Sequence, residues 1–388
     1  MFYLAGIIIT FFLSVLLAGK KGKSEADKIL TAWLIITGFH LTMFYLYISG
    51  NYLKFPWLLG LHLPLPLVHG PFLFLYTTAL TQVRRIKAVD LLHFAPVLVT
   101  YGLMFQFFQL PADQKVWVYQ HGGSGYKWLT DLVFIAIIAS GVIYVILSFL
   151  KLRQHKVNIE SQFSNTARIN LNWLRYLIYG TSAIWIVILV GLNDTYIFGT
   201  VVLYVFFIGY FGIRQVGIFS NKPLLNEPVK SLLEKNVNAE PAIKNHAQNV
   251  AHVSNESDIK RKYQKSSLTA DEARKIYKQL HQLMFKDKLF KDPELNLGQL
   301  AENLNVHSNV LSQVINSFEN KSFYDYINGL RIEEFKTLVA DPVNRQYTLL
   351  SLAYECGFNS KTAFNRNFKK VTALSPSEYL SQVKVNLA

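Results

Sequence analysis

The chain has 388 residues and a formal net charge of +14, with 51% hydrophobic, 14% aromatic and only 16% charged residues, where an average soluble domain carries about 25% charged residues. Its length suggests two or three domains, and its charge suits a nucleic acid or an anionic membrane surface equally well. The lone cysteine, Cys356, excludes a disulfide framework and a cysteine-based metal site, and it reads as a small buried apolar residue.

Seven long apolar runs fill residues 1–218: Phe2–Ala18, Ile29–Ser49, Trp57–Leu80, Val89–Gln109, Leu129–Leu150, Leu174–Leu192 and Thr195–Ile213. Each approaches the roughly 20 residues that cross a bilayer. The first lacks a basic leader and is followed by Lys20, Lys21 and Lys23, so a retained span is expected rather than a cleaved signal peptide. Basic residues then orient the set. Loops after the odd runs hold Lys20, Lys21, Lys23, Lys28, Arg84, Arg85, Lys87, Lys151, Arg153, Lys156 and Arg168; loops after the even runs hold only Lys54, Lys115 and Lys127. The positive-inside rule therefore predicts an outer N-terminus and a cytoplasmic exit after the seventh run.

Within this region, Pro64, Pro66 and Pro71 predict a broken third helix. His40, His62, His69, His93, Asn193 and Asp194 are the polar candidates for a ligand-binding cluster, although helix–helix hydrogen bonding explains such residues more simply. The outer loop Leu110–Lys127 carries Trp117, Tyr119, His121, Tyr126 and three glycines, and it reads as a flexible interfacial segment. Residues 154–175 are expected to form a polar inner loop, with an interfacial helix bearing Trp173 and Arg175. Residues 219–267, rich in Asn, Lys, Ser and Pro, read as a flexible cytoplasmic linker.

A helix is predicted from Ser267 or Thr269 to about Lys288, with Tyr277, Leu280, Leu283 and Met284 as its apolar stripe. Two short helix pairs follow. In the first, Leu300, Ala301 and Leu304 form one apolar face, Asn305 suits a left-handed turn, and Val306, Leu311, Val314 and Ile315 form the next face. Asn309, Ser312, Gln313 and Asn316 are left facing outward, where they can hydrogen-bond base edges. In the second, Gly357 supplies the turn and Ser360 or Asn359 caps the following helix, whose Phe364 and Phe368 point inward. Lys361, Thr362, Asn365 and Arg366 project from the other side. Phe323–Val339 is predicted as one spacer helix.

These residues carry a resemblance. Tyr324-Asp325-Tyr326-Ile327, Leu330-Arg331-Ile332-Glu333-Glu334, Leu352-Ala353-Tyr354-Glu355-Cys356-Gly357-Phe358, Phe364-Asn365-Arg366-Asn367-Phe368-Lys369-Lys370 and Ser375-Pro376-Ser377-Glu378-Tyr379 resemble, in order, the AraC/XylS DNA-binding domain. Two positions depart from that pattern: Ala373 stands where the family usually has a turn glycine, and His307 where a serine cap is commoner. The resemblance implies two helix-turn-helix units on one side of a linker helix, entering adjacent major-groove segments. It also implies double-stranded promoter DNA and RNA polymerase as partners, and raises a homodimer as one form of assembly.

The expected fold class is thus all-α: a seven-transmembrane helical bundle at 1–218, the linker, and an AraC-type double helix-turn-helix domain at 268–388. Arg331, Lys361, Lys369 and Lys370 are expected at phosphates, Arg366 at guanine, Asn365 or Gln313 at adenine, with Ser360 beside them. From Lys265 onward 16 Lys and Arg face 13 Asp and Glu, a balance of only +3, which favours site-specific binding over a nonspecific basic clamp. No GxGxxG before a helix, P-loop, HExxH, GxSxG or histidine-phosphotransfer core occurs, so no enzyme, cofactor or metal is expected. The reading is a regulator in the bacterial inner membrane that senses a small-molecule or envelope signal. The alternative is a transporter- or receptor-like protein whose C-terminal domain is an interaction module.

Overall fold

The computed structural model describes residues 1–82, 87–165, 171–214 and 268–386, and all helices and turns among them form without a named strand. The linker expected at 219–267, and the orienting residues Arg84, Arg85 and Arg168, lie outside the described residues. The chain divides into two compact units. The described part of the first is 1–82, 87–154 and 171–214; that of the second is 155–165 and 268–386. Residues 155–165, expected in the membrane domain, therefore group with the C-terminal domain.

The first unit holds α1 (Phe2–Gly19), α2 (Glu25–Ile48), α3 (Pro66–Gln82), α4 (Ala95–Leu103), α5 (Phe105–Phe108), α6 (Ala112–Gln120), α7 (Lys127–Glu160, its residues 155–160 counted with the second unit), α8 (Asn172–Leu189) and α9 (Asp194–Arg214). Ser24 starts α2 through a capping box with Asp27, and the Asp27 carboxylate also takes both hydrogen bonds of a buried ion pair with Lys20 at 2.9 Å. That pair closes the α1–α2 hairpin. Glycines allow close helix approach, as packing between apolar helices requires: a Cβ on Gly6 would meet Val202 at 2.6 Å, and one on Gly141 would collide with the Trp185 indole.

Seven spans were expected, but among the described residues four helices are long and apolar enough to cross a membrane: α1, α2, α7 and residues Asp194–Gly212 of α9. The others fall short for visible reasons. Pro56, Pro64 and Pro66 delay the third helix, leaving α3 with 17 residues, about 26 Å against a hydrocarbon core of about 30 Å. The fourth run is divided into a 3₁₀ stretch (Ala88–Phe94), α4 and α5. The sixth, α8, has Asn172 and Arg175 in its first turn. Its Trp173 is not interfacial as expected but buried, donating its indole N–H to Tyr76 Oη at 3.0 Å. The segment 110–127, expected to be a flexible outer loop, contains α6.

The second unit is built from α10 (Ala270–Phe285), α11 (Leu297–Asn303), α12 (Ser308–Glu319), α13 (Phe323–Ala340), α14 (Leu349–Glu355), α15 (Lys361–Thr372) and α16 (Pro376–Asn386). Side-chain caps fix most starts: Thr269 for α10, Asn296 for α11, Ser322 for α13, Thr348 for α14 and Ser360 for α15. Two cores result. Ala273, Leu280, Met284, Leu300, Leu311, Val314, Ile315 and Ile327 fill the first; Ile332, Phe335, Ala353, Cys356, Phe364 and Phe368 fill the second. The long helix α13 supplies its first half to one core and its second half to the other. The stripe on α10 differs slightly from expectation, since Ala273 and Ile276 are buried, while Tyr277 stacks on Phe318 at 4.5 Å and donates its hydroxyl to Glu319. This helix packs onto α12.

Candidate nucleic-acid interface

Each helix pair turns where the sequence places its turn residue. Asn305 lies at φ +53°, between α11 and α12, as its tolerance of the left-handed region allows. Gly357 lies at φ +92° between α14 and α15, where a Cβ would come within 2.7 Å of the carbonyl oxygens of Phe290 and Lys291. Glycine is required there on both counts. The apolar faces of α12 and α15 enter the two cores, so their opposite faces are left to solvent.

On α12, Asn309 and Asn316 are exposed, while Ser312 and Gln313 are half-buried. On α15, Lys361, Thr362, Asn365, Arg366, Lys369 and Lys370 are exposed. Ser360 is already in use as the helix cap, its Oγ accepting from Ala363 N at 3.2 Å. Lys370 Nζ pairs with Asp325 at 2.6 Å, a surface ion pair that a phosphate can displace at little cost.

Arg331 corrects the expectation of a phosphate contact. Its side chain is 1% exposed, the largest fully buried one among the described residues. Nε donates to Phe290 O at 2.7 Å, Nη2 to Asp292 O at 2.6 Å and to Ser164 Oγ at 3.2 Å, and Nη1 to Asn328 Oδ1 at 3.3 Å. The guanidinium also lies over the Phe358 ring, 5.8 Å from its centroid. Burial pushes its pKa down to about 10, which leaves it charged at neutral pH. Arg331 therefore joins the segment before α11 to the second core, and DNA cannot reach it.

Tyr324 and Asn367 were not singled out from the sequence. The Tyr324 hydroxyl accepts from Arg366 Nη2 at 2.7 Å and from Asn367 Nδ2 at 2.6 Å, and its ring lies under the Arg366 guanidinium at 5.7 Å. Asn367 is buried and also donates to Ala363 O at 2.8 Å. The linker helix thus orients Arg366 on α15. Nothing in local spacing reveals a partner 42 residues away. Nearby, Glu334 binds Lys288 and Lys291, both at 2.8 Å. Burial raises its pKa, but the two ammonium groups outweigh that and hold it below the usual carboxylate range. The Cys356 thiol is pushed up to about 12 by burial, with the nearby Glu334 carboxylate adding to the effect.

The polar candidates of the first unit do not form one cluster. The Trp33 indole N–H donates to His69 Nδ1 at 3.0 Å, so the neutral His69 carries its proton on Nε2 and donates to His40 Nδ1 at 3.2 Å. His93 pairs separately with the Tyr144 hydroxyl at 2.9 Å. His62 lies beside Tyr119 in a small recess with Tyr47 and Tyr52. Asn193 and Asp194 stand exposed at the start of α9. Among the described residues no three His, Cys, Asp or Glu side chains converge as metal ligands.

Residues 300–382 match the family described as a helix-turn-helix domain. No curated protein and no solved structure matches the chain. The matched residues run from the first helix pair through α12 and α15, and the match supports an AraC-type helix-turn-helix, DNA-binding domain over this C-terminal part.

Proposed function

We propose that the protein is a membrane-bound, sequence-specific transcription regulator that couples a signal at the membrane to promoter binding. One observation carries the reading: α12 and α15 each bury one face in a separate core and expose a polar face, while a single helix, α13, spaces them. Asn309, Ser312, Gln313 and Asn316 read one major-groove segment. Thr362, Asn365 and Arg366 read the next, with Arg366 at guanine O6 and N7. Lys361, Lys369 and Lys370 contact phosphates, and Ser360 holds the start of α15 against the backbone.

The four long apolar helices support membrane residence. In this reading the three shorter apolar runs also cross, giving seven spans, an outer N-terminus and a cytoplasmic DNA-binding domain in the bacterial inner membrane. Recruitment of RNA polymerase and pairing with a second copy complete the regulator. The test is genome-wide crosslinking of the full-length, membrane-resident protein to DNA beside a Lys361→Ala/Arg366→Ala variant. Discrete peaks lost in the variant are expected. A parent protein that is intact in the membrane but gives no peaks would sink the DNA-binding reading. Reporter fusions after residues 54, 115 and 214 test the topology: activity on the outer side is expected for the first two and on the cytoplasmic side for the third.

A further inference from the structure

The second unit contains a piece of chain from far upstream. Residues 161–165 continue directly from α7 and lie across the segment that opens the first helix-turn-helix pair. Phe163 and Asn296 form an antiparallel bridge, with Leu297 N donating to Gln162 O at 2.8 Å. Ser164 is the centre of the contact. Its N–H donates to Leu295 O at 3.4 Å and its hydroxyl donates to the same oxygen at 2.5 Å. Its carbonyl accepts from Asn328 Nδ2 at 2.9 Å, and its Oγ accepts from Arg331 Nη2 at 3.2 Å. Phe163 is 7% exposed and Ser164 2%, so the segment is embedded rather than laid on the surface.

Resting on the regulator reading above, we propose that residues 161–165 are a docking strap that holds the DNA-binding domain in its DNA-competent form. Three observations carry this. Ser164 supplies an acceptor to Arg331, the residue that ties the segment before α11 to the second core, so the strap completes the node between the two helix-turn-helix units. A buried guanidinium that loses an acceptor is costly, so an undocked strap must loosen that node. The docked strap leaves Asn309, Asn316, Lys361, Thr362, Asn365 and Arg366 exposed, so it positions the reading helices without covering them. The strap follows α7 with no intervening segment, while residues 215–269 separate α9 from α10. A change in α7 therefore has a shorter covalent route to the reading helices through the strap than through the chain after α9.

The test uses the full-length protein in membrane vesicles, with Cys356→Ala and a cysteine pair, Phe163→Cys/Asn296→Cys. Bridged residues lie about 4.5–5.5 Å apart at Cα, within the range that a disulfide spans. A protease site is placed between residues 219 and 267. After oxidation and cleavage, the two fragments should stay joined on a non-reducing gel, whereas each single-cysteine control should separate. Separation in the double variant, with both cysteines alkylated only after unfolding, overturns the strap. A second arm compares genomic DNA occupancy of Phe163→Asp with the parent at equal membrane abundance, expecting at least a ten-fold loss. Unchanged occupancy overturns the positioning role. Because Phe163→Asp could unfold the domain, the oxidised cysteine pair is also tested on the DNA fragments enriched by the parent. It should bind as tightly as the reduced pair, and ten-fold weaker binding would show that docking opposes DNA. A parent without peaks defeats the regulator reading, while the gel still decides the strap.

Discussion

Tyr324 on α13 and Arg366 on α15 are joined twice, by a 2.7 Å hydrogen bond from Nη2 to the phenol oxygen and by the guanidinium lying 5.7 Å from the ring centroid. Under the proposed reading, in which Arg366 engages guanine, the arginine is oriented before DNA arrives, which lowers the entropy lost when its fork engages a base. Tyr324→Phe keeps the ring and removes the shared acceptor. It should destabilise the domain by about 1–2 kcal/mol, since the buried Asn367 loses a partner. It should also relax preference at the base read by Arg366. Unchanged melting together with unchanged base preference would refute the orienting role.

Arg331 and Lys361 separate structure from contact. Arg331→Leu leaves the carbonyl oxygen of Phe290 without its donor and that of Asp292 with only the Leu295 N–H, and a loss of about 3 kcal/mol or more is expected. Lys361→Ala, at an exposed position, should change stability by less than about 0.5 kcal/mol and reduce the salt dependence of DNA binding by about one counterion. Thermal proteolysis and binding measured across a salt series distinguish them. A stable Arg331→Leu protein with a reduced salt slope would restore a phosphate role to that residue.

Two positions are suboptimal and should improve on substitution. His307 occupies the N-cap of α12 without a side-chain hydrogen bond, so His307→Ser should stabilise by about 1 kcal/mol. Ala373 ends α15 at φ +63°, where a Cβ costs roughly 1–2 kcal/mol. Ala373→Gly should recover about 0.5–1 kcal/mol after the entropy of glycine is subtracted. Higher melting temperatures are the readout, and a lower one in either variant contradicts the corresponding local explanation.

Cys356 is buried with its thiol raised to about 12. An acid whose folded pKa exceeds its unfolded value keeps its proton longer when folded, so its contribution to stability is intact below the unfolded value and lost as pH rises from there towards 12. Native protein at pH 8 should resist maleimide and react fully once denatured, and Cys356→Ala should show a flatter alkaline loss of stability. Rapid native alkylation at pH 8 would contradict the burial.

The helix-turn-helix pairs were legible in the sequence because their determinants are local. Apolar spacing at Leu311, Val314 and Ile315, turn residues at Asn305 and Gly357, and the cap at Ser360 each act within a few residues. The exposed faces of α12 and α15 follow from the same periodicity. The first unit was less legible, since uninterrupted apolar composition does not say where prolines divide a run; α3 starts at Pro66 rather than near Trp57. What only tertiary structure decided were the long-range polar partnerships. Charge alone made Arg331 look like a DNA contact, whereas backbone carbonyls of Phe290 and Asp292 and the Ser164 hydroxyl, distant in sequence, draw it inside. A buried polar group takes whichever partners the packed elements bring to it, and that choice is fixed by three-dimensional proximity, which one-dimensional spacing does not encode.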